Sequence, residues 1–117
     1  MAYVYDDQNI FARILRGEIP NKTVRETPHT LAFHDIHPWA PVHILIIPKQ
    51  HIVSMADIGD EHARLLGRMM ALSPRLMRDL GVTNGYRHVI NTGRDGHQEV
   101  MHLHLHVMGG PRPWLKG

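Results

Sequence analysis

The segment Met101-His-Leu-His-Leu-His-Val-Met-Gly-Gly110 places three histidines, His102, His104 and His106, on alternate positions of a chain that contains no cysteine. A period of two is the strand period, so the imidazoles project to one face and Leu103, Leu105 and Val107 to the other. The apolar side packs on a core. The imidazole side needs a chemical reason.

Three explanations compete. The plainest is an outer strand face that is polar by chance, which sits badly with three histidines sharing one side. A metal site is the second, since two histidines at i and i+2 on a strand suit zinc when further ligands come from elsewhere. A strand rises about 3.3 Å per residue, so the outer two backbones lie about 13 Å apart. At most two neighbours of the row could then share an ion, with His43, His51, His97 or Glu99 completing the set. Catalysis is the third, and it uses the whole row. An imidazole near its ordinary pKa of about 6.5 is a good nucleophile at neutral pH, and a protonated neighbour can bind an anion or deliver a proton. That pairing suits substitution at phosphorus, where positioning and charge stabilisation supply most of the catalysis. His104, flanked on both sides, is the natural nucleophile.

Composition narrows the field. Eleven histidines stand out in a chain of 117 residues that is otherwise ordinary for a globular protein, 43% hydrophobic and 21% charged. This length predicts one domain over 1–117, large enough to bury a real core. Net charge is +2 with histidine neutral, and the thirteen Lys and Arg residues are scattered, so no nucleic-acid partner is expected. The opening MAYVYDDQNI lacks the basic and apolar regions of a signal peptide, and no apolar stretch approaches a membrane span. With no cysteine, a cytoplasmic protein without a membrane partner is the expectation.

The elements that must position the row can be read in outline. Asp7 is a candidate cap for a short helix with a stripe of Ile10, Phe11, Ile14 and Leu15, stopped by Gly17 and Pro20. Strand-like pieces follow at 22–25, 30–34 and 43–47, the last closed by Pro48. Residues 60–80 read as a long helix with Leu65, Leu66, Met69, Met70, Leu76, Met77 and Leu80 on its apolar face and Gly81 just beyond. Pro74 should kink it after Leu72, at a cost of up to about 3 kcal/mol. Strands at 86–91 and 101–108 flank the turn-rich Thr92-Gly-Arg-Asp-Gly96. Strands and helices do not alternate regularly, so the fold class is α+β with an antiparallel sheet.

The row matches the His-x-His-x-His-x-x signature, with x apolar, and the chain resembles the histidine-triad (HIT) superfamily of nucleotide hydrolases and transferases. Ile10-Phe-Ala-Arg-Ile-Leu-Arg-Gly-Glu-Ile-Pro20, Ala32-Phe-His-Asp-Ile36, Ala40-Pro-Val-His-Ile-Leu-Ile-Ile-Pro-Lys49 and Gly109-Gly110 are similar to its Hint-like branch. The resemblance implies a HIT-like sheet of about five strands, extended across a homodimer, with Met70 and Met77 at that interface or in the core. It implies a purine nucleoside phosphoramidase needing no cofactor and no metal. His104 would attack the α-phosphorus of a purine nucleoside phosphoramidate or related mixed anhydride, such as an aminoacyl or lysyl adenylate, giving a nucleotidyl-histidine that water releases as AMP or GMP. His106 would contact the phosphate or leaving group, and His102 and His43 would support them. Asp35 would accept both ribose hydroxyls. Phe33, His34, Ile36 and Leu105 would line the nucleoside, while Asn91, His97, Gln98 and Glu99 would surround the phosphates. Trp114 would reach the partner subunit's site. Relatives commonly carry glycine at the position of His97, and familiar eukaryotic ones serine at that of Glu99. A carboxylate there favours a cationic amine leaving group over a polyphosphate. The alternatives are a dinucleoside polyphosphate hydrolase of the same superfamily and a nucleotide-binding scaffold with vestigial activity.

Overall fold

The computed structural model describes residues 3–115. In chain order it carries helix α1 (Ile10–Leu15), strands β1 (Thr23–Glu26), β2 (Thr30–His34) and β3 (Val42–Pro48), helix α2 (Ala63–Asp79), and strands β4 (Tyr86–Val89) and β5 (Leu105–Gly109). The strands form one open antiparallel sheet in the order β1-β2-β3-β5-β4, so the α+β expectation holds. Among the described residues, no helix is long and apolar enough to cross a membrane.

Strands β2 and β3 are nearly continuous apolar runs because both faces of the sheet are covered. On one face Ala32, Ile44, Ile46, Leu105 and Val107 pack against Met69, Leu72, Leu76 and Met77 of α2. On the other, Leu31, Phe33, Leu45 and Ile47 pack against Phe11 and Ile14 of α1. Met77 is therefore core, whereas Met70 is 44% exposed. The cap of α1 is Asn9, not Asp7: the Asn9 side chain accepts from the Ala12 amide at 2.9 Å.

Helix α2 runs through Pro74 without a break. Proline removes the amide that would have bonded the Met70 carbonyl, and the Ser73 hydroxyl donates to that carbonyl instead, at 2.7 Å. The same hydroxyl accepts from Nε2 of His88 on β4, also at 2.7 Å, which ties the helix to the sheet edge. Gly81 follows at φ 82°, the left-handed geometry that ends a helix cheaply only at glycine.

The histidine row departs from expectation. Strand β5 starts at Leu105, so His102 and His104 lie ahead of the ladder. The last β3–β5 pair is Ile46 with Leu105. Pro48 ends β3 without an amide to offer, and its carbonyl accepts from the His102 ring, not from a backbone partner. The Leu103 amide bonds the Ile52 carbonyl, which holds this part of the row without a sheet neighbour.

Candidate functional site

The three rings still share one side of the molecule. Phe11 meets His104 edge-on at 5.0 Å and His102 at 6.3 Å, and the rings of His104 and His106 are 5.0 Å apart. His43 on β3 joins them, its Nε2 2.9 Å from Nδ1 of His106. His102, His104 and His43 are buried, so the row is not an outward-facing surface.

Partners that can only donate or only accept fix every ring. Pro48 offers only a carbonyl, so His102 carries its proton on Nε2; Nδ1 is then an acceptor, filled by the Tyr5 hydroxyl at 2.6 Å. His104 places Nδ1 2.6 Å from the carbonyl of His102, which puts its proton on Nδ1 and leaves the lone pair on Nε2. The Trp39 amide donates to Nδ1 of His43, so His43 holds its proton on Nε2 and gives it to Nδ1 of His106. His106 therefore presents Nε2–H. A lone pair on His104 and a donor on His106 stand side by side.

Burial is the main force on these groups. It pushes His102 and His106 down to about 4. His43 and His104 are also held below the ordinary value, in each case chiefly by burial, with the nearby Asp35 carboxylate opposing it. The anticipated mixture of one neutral and one protonated imidazole is thus absent before a ligand binds: at pH 7 all four are neutral. Neutrality suits a nucleophile. A phosphate anion brought beside the pair would then favour the charged form of one member.

Asp35 lies beside the row, with Oδ2 3.4 Å from Nε2 of His43. Its Oδ1 accepts from the His37 amide, a turn contact that leaves lone pairs on both oxygens. Asp35, His43 and His106 bring one ligand atom each within 4.8 Å of one another. A metal is disfavoured there by bond polarity. Ligating histidines donate their second nitrogen's proton, whereas Nδ1 of His43 accepts from Trp39 and so forces the proton onto the nitrogen a metal would need. The metal set built on neighbours of the row is not assembled either: His51 stacks on Tyr5 at 4.4 Å, and His97 and Glu99 lie exposed on the segment that precedes the row.

Three sequence expectations are corrected in detail, and Trp114 is placed by contacts within its own chain. Leu105 is fully buried in the α2 core, so its side chain does not line this side. His34 pairs with Ile44 and falls on the α2 face by strand alternation. Gln98 is buried with its amide consumed: it accepts from the Gly93 amide and donates to the carbonyls of Val53 and Val100. It pins the loop and has no group left for phosphate. Trp114 donates to the Gly110 carbonyl and stacks under Arg112, 3.7 Å from its ring centre. Phe33 shares the histidine face but is buried against Phe11. Ile36 is 78% exposed and Asn91 half-buried. In the 92–98 loop, a Cβ at Gly96 would run into the Thr92 carbonyl, and His97 adopts φ 61°, a left-handed geometry costly outside glycine.

Tyr5 and Phe11 were not foreseen as parts of this site. Phe11 reads as helix stripe, and nothing local marks a tyrosine whose partner is 97 residues away.

Known proteins resemble this chain in sequence and in fold. The HIT domain family model matches residues 16–112. Protein HitA of Neisseria gonorrhoeae is 48% identical over 105 residues, covering 90% of this chain and 98% of that protein. The purine nucleoside phosphoramidase of Escherichia coli is 43% identical over 105 residues, covering 89% and 88%. The crystal structure of a HIT family hydrolase from Legionella pneumophila superposes with a TM-score of 0.85 at 43% identity, covering 88% of this chain and 93% of that one.

Proposed function

The chain belongs to the HIT domain family, and on that premise we propose that it is a hydrolase that cleaves the P–N bond of purine nucleoside 5′-phosphoramidates. The observation that carries this proposal is the pairing of a free Nε2 lone pair on His104 with a donor on His106. A binding module has no use for that polarity.

The chemistry follows from the bonds. Nε2 of His104 attacks the α-phosphorus while the P–N pair leaves with the amine. As the phosphate anion binds, His43 gives up its Trp39 contact and takes a proton from solvent on Nδ1; His106 then passes its Nε2 proton to the departing nitrogen and receives the Nε2 proton of His43 on Nδ1. His104 keeps Nδ1–H on the His102 carbonyl throughout, so the nucleotidyl-imidazole carries its charge against a fixed dipole. Water then attacks phosphorus, its proton passes to the lone pair that the first step leaves on Nε2 of His106, and His104 departs as imidazole. Asp35 takes the ribose hydroxyls with its remaining lone pairs, and Asn91, His97 and the loop backbone face the phosphate.

Glu99 refines the substrate. Its carboxylate is close enough to act on His104, where it favours positive charge. Beside a polyphosphate leaving group it repels; beside a cationic amine, as in a lysyl adenylate, it attracts. A phosphoramidase is favoured over a dinucleoside polyphosphate hydrolase on this ground. The open edge of β4 supports pairing of two copies into a continuous sheet, which would bring Trp114 toward the partner's site. A cytoplasmic location belongs to the same proposal.

The test is a side-by-side rate comparison on an adenosine phosphoramidate with a lysine-like amine and on diadenosine polyphosphates. Faster turnover of the phosphoramidate, with nucleotide trapped on His104 by an alkaline denaturing quench, supports the proposal. Preference for the polyphosphates transfers the site to the rival reaction, and tight AMP binding without turnover of either makes it a scaffold.

A further inference from the structure

We propose that Tyr5, outside the segment the family model matches, is a positioning residue that sets the tautomer of the nucleophile through His102.

The nucleophile sits where the sheet no longer holds the chain. Residues 101–104 have no strand partner, so the carbonyl of His102, which fixes the proton of His104, is held by side-chain bonds and the Leu103–Ile52 contact. The His102 ring is a clamp with two jaws: Nε2–H bonds the Pro48 carbonyl at 2.8 Å, and Nδ1 accepts from the Tyr5 hydroxyl at 2.6 Å. Remove either and the fully buried ring has an unmet polar atom and a softened orientation. Its own backbone carbonyl moves with it.

Tyr5 is built for that task. Its ring stacks on His51 at 4.4 Å with only 13° between planes, which fixes the direction of the hydroxyl. Tyr3, two residues earlier, accepts from the Arg94 amide at 3.3 Å, so the same segment also touches the phosphate-side loop. Asn9 begins α1, which carries Phe11 onto the edge of His104. The N-terminal segment thus reaches the row from one side and the loop from the other. A tyrosine donor also selects the neutral form of His102 with its proton on Nε2, the form that can hold the Pro48 carbonyl.

This assignment rests on His104 acting as the nucleophile of the proposed reaction, and its test separates the two. Tyr5→Phe keeps the stack on His51 and deletes only the donor; Tyr5→Leu deletes both. Nitrogen-15 spectra of the imidazoles in the full chain, without substrate, read the tautomers directly. In the unsubstituted protein His104 should show a single form, proton on Nδ1. In Tyr5→Phe it should show a mixture, and kcat on the adenosine phosphoramidate should fall about tenfold with KM within about twofold. Tyr5→Leu should match Tyr5→Phe in kcat. Unchanged spectra in Tyr5→Phe would overturn the assignment, whatever the turnover. A loss confined to Tyr5→Leu would overturn it too, since the stack and not the donor would be responsible. If the spectra shift as expected while the unsubstituted protein cleaves no phosphoramidate, the positioning role stands and the functional proposal fails.

Discussion

His104 and His102 are joined by a bond that decides the chemistry of the site: the Nδ1 proton of His104 rests on the His102 carbonyl 2.6 Å away, so only Nε2 can attack. Replacing His104 by alanine removes the atom that forms the covalent intermediate. Turnover should fall by at least about three decades. Because His104 is buried beside Phe11, the variant should also lose some stability, contrary to what an exposed strand position would suggest. Binding of AMP, measured by calorimetry on the folded variant, should survive within about tenfold. Equal losses in His102→Ala and His104→Ala, both mimicked by a chelator, would point to a metal after all.

Glu99 makes a second prediction. Its carboxylate is exposed, so its influence on a leaving group is screened and amounts to about 0.5–1 kcal/mol. Glu99→Ser should lower the preference for a cationic amine over an uncharged one about two- to fivefold. The difference should shrink as salt rises. Paired kinetics at low and high ionic strength check this, and an unchanged preference would remove Glu99 from substrate selection.

What the sequence makes legible divides along local and non-local lines. The two-residue period of the row, the apolar face of α2 and the runs of β2 and β3 are local patterns, and the structure has them close to where they were expected. The start of β5 was missed because it depends on Pro48, a residue in the facing strand. Gln98 reads as a phosphate ligand in sequence because its amide chemistry is right. Its actual partners, Gly93, Val53 and Val100, come together only in the fold. The depressed pKa values are likewise invisible beforehand, since they follow from burial.

Gln98 accordingly predicts a structural phenotype. Three hydrogen bonds link its amide to Gly93 in the 92–98 loop, to Val53 after β3 and to Val100, and Gln98→Ala leaves buried backbone groups unpaired. It should cost about 1–3 kcal/mol of stability. KM should rise more than kcat falls, because the loop loses its shape while the triad keeps its own bonds. A kcat loss without change in thermal midpoint would place Gln98 at the reacting atoms instead.

Acid should unfold this protein earlier than its composition suggests. His102 is fully buried and neutral, its pKa lowered from 6.5 to about 4 by burial and, less strongly, by the neighbouring His51 and His104. Above pH 6.5 it is neutral in both folded and unfolded chains and stability does not depend on it. As pH falls below 6.5 the unfolded chain takes up the proton and the folded chain refuses it, so stability drops until about pH 4, where the folded state binds it too. Over that window His102 alone should remove about 3 kcal/mol. The acid limb of kcat/KM should also lie below pH 6.5, because burial holds His104 under its ordinary value. Urea midpoints between pH 7 and 4 read the first effect. A midpoint that stays flat would mean that His102 is protonated as readily in the fold as outside it, which its bonds to Tyr5 and Pro48 do not allow.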